Sequence, residues 1–166
     1  MTDEQTLRHL RRASEVARDA AAKGRHPFGA VLVAPDGETV LLEHGNVDTV
    51  NHAEAVLARV AAHRFDKALL WDCTLVSTVE PCAMCAATIY WAHIGRLVYG
   101  MSERQLLQLT GPHAKNHAEN HSENPTLDLP CREVFARGQK AVQVIGPVPG
   151  LDEEIAAVHR AFWSGR

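Results

Sequence analysis

The stretch CTLVSTVEPCAMCAATIYWAHIGRLVYG, residues 73–100, contains the order of elements that decides the fold. It opens with a β-branched run over residues 73–79 and ends with a second such run over residues 96–100. Between them lies an apolar segment that begins at Pro81, and proline suits the first turn of a helix because its missing N–H is no loss there. The pattern predicts strand, helix and strand, and two strands joined in this way are expected to run parallel.

Two cysteines in this stretch, Cys82 and Cys85, combine with the motif His52-Ala53-Glu54. Both thiols fall on one face of the predicted helix's opening turns, where the positive end of the helix dipole favours thiolate. A catalytic zinc ion takes three protein ligands and leaves its fourth position to water. His52, Cys82 and Cys85 supply three ligands, and Glu54 is left to move protons. The H-x-E…P-C-x-x-C pattern is typical of zinc-dependent nucleobase deaminases.

The segments on either side continue the alternation of strands and helices. In chain order, the predicted elements are a helix ending near Gly24, strands over 28–34 and 39–43 that form a hairpin, a helix from His52 to about His63, a strand over 141–148 and a closing helix from Leu151. We therefore expect a three-layer α-β-α fold with a central mixed five-stranded sheet, formed by residues 1–166 as one domain.

Composition narrows the classes of protein. With 46% apolar residues the chain can bury a core, and it has neither a long uncharged apolar run nor the apolar centre of a signal peptide, so we expect a cytoplasmic protein without membrane contact. The net charge of −3 argues against a large nucleic-acid footprint. Cys73 and Cys131, the two cysteines outside the motif, are expected to be buried apolar side chains.

Residues 27–100, through PFGAVLV, NHAEAVLA and the cysteine segment, resemble the cytidine deaminase-like superfamily, specifically its guanine deaminases and tRNA adenosine deaminases. The resemblance implies that His52, Cys82 and Cys85 bind Zn²⁺ and that Glu54 is the proton shuttle. It implies hydrolysis of a cyclic amidine with release of ammonia. It also implies base-binding positions at Asn46, Phe28, Trp91 and the backbone near Ala53 and Ser77.

The substrate is harder to read from the sequence. The segment 89–92 is similar to guanine deaminases and related small-base enzymes, but residues 109–113 lack the acid that reads guanine in that family. Replacement acids are Glu119, Glu123 and Asp128. Guanine, cytosine, other aminopurines, pterin-like rings and aminotriazines therefore stay open.

Three alternatives depend on particular residues. A tRNA-specific adenosine deaminase would need a basic surface, and only Arg8, Arg11 and Arg12 cluster, which a solvated helix face explains equally well. A thioredoxin-like redox protein would explain the C-x-x-C but leaves His52-Ala53-Glu54 without a role. A non-catalytic zinc-binding module would need a fourth ligand.

Further expectations concern the loop, the tail and assembly. Residues 110–130 are expected to close over the pocket, with His113, His117 and His121 better explained as solvated side chains than as a second metal site. Phe162 and Trp163 either cover the active site or secure the last helix. The resemblance implies a homodimer, with Ile89, Tyr90, Trp91 and Ile94 as its apolar surface.

Overall fold

A mixed five-stranded sheet forms the centre of the structure, a computed structural model that describes residues 1–110 and 126–164. The strands are β1 Gly29–Val33, β2 Val40–Gly45, β3 Thr74–Val79, β4 Arg96–Met101 and β5 Gln143–Ile145. Their order across the sheet is β2-β1-β3-β4-β5. β1 pairs antiparallel with both β2 and β3, whereas β3, β4 and β5 are parallel neighbours. The predicted hairpin and the predicted parallel pair are both confirmed.

Helices cover both faces of this sheet. They are α1 Asp3–Ala22, α2 Ala53–Arg64, α3 Lys67–Asp72, α4 Ala83–Trp91, α5 Glu103–Thr110, α6 Cys131–Ala136 and α7 Asp152–Ser164. Alternate side chains of β1 enter two separate cores, since Ala30 and Leu32 pack with α2, α3, α4 and α6, while Val31 and Val33 pack with α1, α5 and α7. This arrangement confirms the predicted three-layer α-β-α fold. Among the helices of the described residues, none is both long and apolar enough to cross a membrane.

Local signals explain where elements begin and where the predictions differ. The Thr2–Gln5 capping box at the start of α1 is present. The Thr2 N–H donates to the Gln5 side chain, and the Gln5 N–H donates to the Thr2 hydroxyl. The fifth strand is shorter than predicted because Pro147 has no N–H for a sheet ladder. The helix α3 was missed, since six residues show too little periodicity, but Asp66 caps it by accepting from the Leu69 N–H at 2.8 Å.

The parallel pair β3–β4 determines where chemistry can be placed. Adjacent parallel strands end at the same edge of a sheet, so the residues that follow β3 and β4 meet there. Glu80, just after β3, joins them: its carboxylate accepts from the N–H of Glu103 at 3.2 Å and from the N–H of Cys131 at 2.9 Å. The starts of α4, α5 and α6 therefore converge on one edge of the sheet.

The buried face of α4 corrects part of the predicted dimer surface. Ile89 and Ile94 are 0% exposed and belong to the chain's own core, because they point from α4 and the following turn toward the sheet. The prediction that they form an interface was therefore wrong. Trp91 is 74% exposed, and only it and the half-buried Tyr90 remain as apolar surface from that set.

Candidate metal centre and active-site cavity

Three ligand-type side chains meet where α2 and α4 begin. His52 and Cys82 are the N-cap residues of these helices, and Cys85 lies in the first turn of α4. The Nδ1 atom of His52 is 3.6 Å from the Cys82 Sγ and 3.5 Å from the Cys85 Sγ. A tetrahedral zinc ion with ordinary bond lengths keeps its nitrogen and sulfur ligands about 3.6 Å apart. The donor set and its spacing therefore fit Zn²⁺, and the three candidate ligands are the predicted ones.

The surroundings prepare these side chains for metal binding. The other ring nitrogen of His52, Nε2, is 3.1 Å from the Thr49 carbonyl oxygen, so a proton on Nε2 leaves the Nδ1 lone pair facing the sulfurs. The pKa of Cys82 is lowered to about 4, chiefly by its hydrogen bond with Cys85 and also by His52, against the effect of burial. The thiolate, which is the form that binds metal, is favoured at this position.

Glu54 lies beside this group without belonging to it. The side chain is 4% exposed, in the first turn of α2. Ser77 Oγ donates to Glu54 Oε1 at 3.0 Å, and the Cys85 thiol lies 3.7 Å from Oε2. Burial raises the pKa of Glu54, with smaller opposing effects that include the Ser77 hydrogen bond. A carboxyl group whose pKa is raised holds a proton more readily than an ordinary one, which suits a group that takes up and releases a proton during a reaction.

A cavity of about 200 Å³ opens onto the metal group. His52, Glu54 and Cys82 form one side of it. The Phe28 ring also lines it and stacks on the His52 ring, with centroids 6.5 Å apart and planes inclined by 12°. The remaining lining residues come from the segments before β1 and α2, the end of β3, α5, the segment after 125 and α7: His26, Thr49, Glu80, Glu103, Leu106, Thr110, Thr126, Leu127 and Trp163.

Several predicted base-binding residues are close to this cavity without lining it. Ala53 is the first residue of α2 and is 0% exposed. Ser77 directs its hydroxyl to Glu54, as described above. Asn46 is 1% exposed, and its amide donates to the Asp48 carbonyl oxygen at 3.0 Å, while its Oδ1 has no hydrogen-bond partner among the described residues. The Oδ1 atom of Asn46 is therefore a buried acceptor that can still form a hydrogen bond.

Two predicted residues lie on the surface. Trp91 ends α4 on the side opposite Cys85 and Ile89, which are buried, and its ring is 5.3 Å from the Lys140 Nζ rather than in the cavity wall. Asp128 is exposed and lies 3.5 Å from the Arg104 guanidinium. Neither side chain lines the cavity, so the structure does not bring them to the metal group.

Glu103 and Trp163 line the cavity, although the sequence did not single out Glu103 and left two roles open for Trp163. Glu103 is 6% exposed, and burial together with the negative charges of Cys82, Glu54 and Glu80 raises its pKa to about 8. Its sequence signal is the Ser102–Gln105 capping box directly after a strand, which places a helix start at the active edge. Trp163, in α7, lines the cavity, which agrees with the expectation that the C-terminal tail covers the active site.

The remaining cysteines and histidines limit the alternatives. Cys73 and Cys131 are 0% exposed and free, as predicted. The described residues bring together one group of three metal ligands, with no fourth ligand in it. A redox role for the C-x-x-C leaves the contacts of His52 with both sulfurs unexplained. Glu119, Glu123 and the histidines at 113, 117 and 121 lie outside the described residues.

Comparison with known proteins agrees with this geometry. Residues 3–101 match the family described as the cytidine and deoxycytidylate deaminase zinc-binding region. A probable cytosine deaminase of Schizosaccharomyces pombe is 32% identical, over 98% of this chain and 94% of that protein. A tRNA-specific adenosine deaminase of Haemophilus influenzae is 39% identical, over 61% of this chain and 59% of that protein.

Solved structures show the same fold. The guanine deaminase of Nitrosomonas europaea has a TM-score of 0.64 and 16% sequence identity, covering 94% of this chain and 83% of that chain. The family match spans both motifs that supply the metal group, and the full-length relative extends it across the C-terminal helix. The chain belongs to the zinc-binding cytidine and deoxycytidylate deaminase family.

Proposed function

We propose that this chain is a zinc-dependent hydrolytic deaminase of a small nucleobase or a base-like aminated heterocycle, with release of ammonia. One observation carries the proposal: a buried carboxyl group, Glu54, lines the cavity beside a three-ligand group without being one of the ligands. A structural zinc site is closed by four protein ligands and needs no acid of this kind. This arrangement supports a catalytic role over a structural one.

The residues divide the work as follows. His52, Cys82 and Cys85 would hold Zn²⁺, which when bound supplies a polarised water that ionises near pH 7. Glu54 accepts a proton from the attacking water and passes it to the ring nitrogen beside the reacting carbon. It then takes a second proton from the hydroxyl group added to that carbon and delivers it to the departing amine, which leaves a carbonyl. Ser77 holds Glu54 Oε1 in place. Phe28 packs against the ring, and Asn46 Oδ1, which has no hydrogen-bond partner in the part of the chain that the structure describes, is a candidate acceptor for the substrate's amino group.

Cytosine is the first substrate to test. The full-length relative is named a probable cytosine deaminase, and its similarity includes the part of the chain that contributes Trp163 to the cavity. Guanine and aminotriazines come next, since the family's structures include a guanine deaminase with the same fold. The cavity of about 200 Å³ favours a free base over a large ligand.

A tRNA-specific adenosine deaminase is the alternative function. It is favoured by the 39% identity to the Haemophilus influenzae enzyme, although that match covers only 61% of this chain. The basic cluster that such a function would use is engaged elsewhere. Arg8, Arg11 and Arg12 pair with acidic side chains of this chain: Glu38, Glu154, Glu15 and Glu43. These pairings favour a solvated helix face over an RNA surface.

We further propose a cytoplasmic homodimer. All four cysteines are free, which agrees with a reducing compartment. The exposed Trp91 and its neighbour Tyr90 stack edge to face at 5.3 Å, with the Lys140 Nζ over both rings. An aromatic pair on the cysteine-bearing helix, with Trp91 exposed and Tyr90 half-buried, supports association through that helix.

The test is ammonia release from the zinc-loaded chain with a panel of free bases, nucleosides and a tRNA anticodon stem-loop. Release from a free base, lost in Glu54→Gln while zinc is retained, is the expected result. Glu133→Gln, an exposed carboxyl on α6, is the matched control and should leave the rate unchanged. Release from the RNA alone would establish the alternative, and a Glu54→Gln protein of near-normal rate would contradict the assigned role.

A further inference from the structure

Glu103 is a buried carboxyl group that the proposed chemistry does not use. It is the first residue of α5, is 6% exposed and lines the same cavity as Glu54 and Cys82. Its main-chain N–H donates to Glu80 Oε2 at 3.2 Å, so its backbone is tied to the end of β3. The fold therefore holds a second acid in the cavity wall in a defined position.

Among the described residues, no cationic side chain forms an ion pair with the Glu103 carboxyl group. Burial has the largest effect on its pKa, followed by the negative charges of Cys82, Glu54 and Glu80, and a hydrogen bond from the Leu127 backbone opposes them. A buried acid without a cation is costly. Such groups cluster where they serve a ligand.

An unpaired donor lines the same cavity. Trp163 is 5% exposed, and its indole Nε1–H has no hydrogen-bond partner among the described residues. The Thr126 hydroxyl, on another residue that lines the cavity, also has no hydrogen-bond partner within residues 1–110 and 126–164. Buried polar groups in native proteins are almost always hydrogen-bonded, so a donor without a partner on a residue that lines a cavity suggests an acceptor supplied by a ligand. The cavity wall thus holds an acid without an ion-pair partner and an indole donor without a hydrogen-bond partner, both among the described residues.

We propose that Glu103 and Trp163 read the edge of the substrate ring, with Glu103 accepting from a ring N–H and the Trp163 indole donating to the neighbouring ring carbonyl. An aminopyrimidinone such as cytosine carries this adjacent N–H and C=O. Neutral or ionised, the Glu103 carboxyl has an oxygen able to accept. The inference rests on the proposed function, since the amino-bearing carbon must face Glu54 and the metal group.

Binding measurements on the zinc-loaded Glu54→Gln chain test this inference without turnover. Titration calorimetry would compare cytosine with 4-aminopyrimidine, which lacks both the ring N–H and the carbonyl. We expect cytosine to bind about 30-fold more tightly. Glu103→Leu should reduce that preference to about 3-fold or less by weakening cytosine alone. Glu103→Gln keeps a carbonyl acceptor and should keep most of the preference, and Glu133→Leu on the exposed face of α6 is the matched control.

Other results would overturn the inference. Equal weakening of both rings by Glu103→Leu would mean a structural role, and an unchanged preference would mean no contact. Failure of both rings to bind the Glu54→Gln chain would count against it too. If Glu103→Leu does not fold, 1-methylcytosine decides with no further substitution, because blocking the N–H should weaken binding about 10-fold.

Different experimental results would overturn the proposed function and the proposed role of Glu103. Ammonia release from cytosine by the unsubstituted chain without a preference for the N–H and carbonyl would overturn the role of Glu103 and leave the deaminase standing. A preference that depends on Glu103, with no ammonia released from any base, would overturn the deaminase and leave the ring contact standing.

Discussion

The two sides of the cavity are built differently. We call His52, Glu54 and Cys82, together with Cys85 buried behind them, the metal wall, and we call Glu103, Thr126, Leu127 and Trp163 the far wall. In the metal wall each side chain has a partner inside the chain, as with the 3.0 Å bond from Ser77 to Glu54 and the 3.1 Å contact of His52 with Thr49. In the far wall the Trp163 and Thr126 polar atoms have none among the described residues.

This contrast assigns different tasks to the two walls. Groups that are oriented before a ligand arrives lose little freedom when the reaction occurs, which favours catalysis. Groups that lack partners gain most from a ligand that supplies them, which favours recognition. We therefore expect changes in the metal wall to act on zinc content and kcat, and changes in the far wall to act on KM and on the choice of ring.

The largest expected effect comes from breaking the metal wall. Cys85→Ala removes one of three ligands, so the chain should lose its zinc and its ammonia release should fall by at least about 1000-fold. Cys73→Ala is the matched control, because Cys73 is equally buried but remote from the metal group. Metal analysis and an ammonia assay measure both variants. A Cys85→Ala protein with full zinc would contradict the ligand assignment.

We expect acidic pH to lower the free energy of unfolding through His159, a buried residue of the helix α7 that also contributes Trp163 to the far wall. His159, in α7, is 0% exposed and packs on Phe28 at 5.0 Å. Burial, with a smaller effect of His26, lowers its pKa to about 4. Because the ordinary value is near 6.5, the unfolded chain binds the proton more readily. Stability is therefore lost as the pH falls from about 6.5 toward 4, by about 2 kcal/mol at pH 5.

Denaturant unfolding at pH 7.5 and pH 5 measures this loss. His159→Gln should remove about 2 kcal/mol of the pH dependence relative to the unsubstituted chain, since no buried imidazole is left to protonate at that position. His63→Gln on the exposed side of α2 should leave the dependence unchanged. Identical pH profiles for His159→Gln and the unsubstituted chain would show that His159 does not titrate in this range.

A smaller effect is expected from the support of the metal wall. Ser77→Ala removes the hydrogen bond to Glu54 Oε1, so kcat should fall about 10-fold with little change in KM and full zinc content. Ser14→Ala, which removes another buried hydroxyl far from the cavity, should leave kcat unchanged. Steady-state kinetics of ammonia release distinguish the two. An equal loss in both variants would place the effect in stability rather than in proton transfer.

The smallest expected effect comes from Trp163, where a change in KM without a change in kcat would distinguish the far wall from the metal wall. Trp163→Phe keeps an aromatic ring packed against Phe162 and His26 but removes the indole N–H, which has no hydrogen-bond partner among the described residues. KM should rise about 5-fold with kcat unchanged, and stability should stay within about 1 kcal/mol because no hydrogen bond between described residues is lost. Trp71→Phe, at a partly exposed tryptophan, is the control. A fall in kcat with KM unchanged would assign Trp163 to the chemistry instead.

Much of the metal wall could be predicted because its determinants are local. His52 and Glu54 are two residues apart, Cys82 and Cys85 are three apart, and short spacings at helix starts limit where the side chains can point. The alternation of strands and helices likewise predicts the layers of the fold, since apolar periodicity reports which face each element buries. These parts follow from neighbouring residues.

The far wall depended on contacts between distant segments. Glu103 and Trp163 are sixty positions apart in sequence, and only the packing of α5 and α7 on the same face of the sheet brings them to one cavity. Trp91 lies outside that cavity for the same kind of reason, because the orientation of α4 buries Cys85 and Ile89 and leaves Trp91 in solvent.

By itself, then, the sequence determined the fold class, the candidate metal ligands and the acidic residue beside them, because each depends on residue type and short-range spacing. The tertiary structure alone decided which residues complete the cavity, which apolar side chains remain exposed and which polar atoms are left without partners. These properties depend on how separate elements pack, and side chains far apart in sequence carry no local signal of that packing.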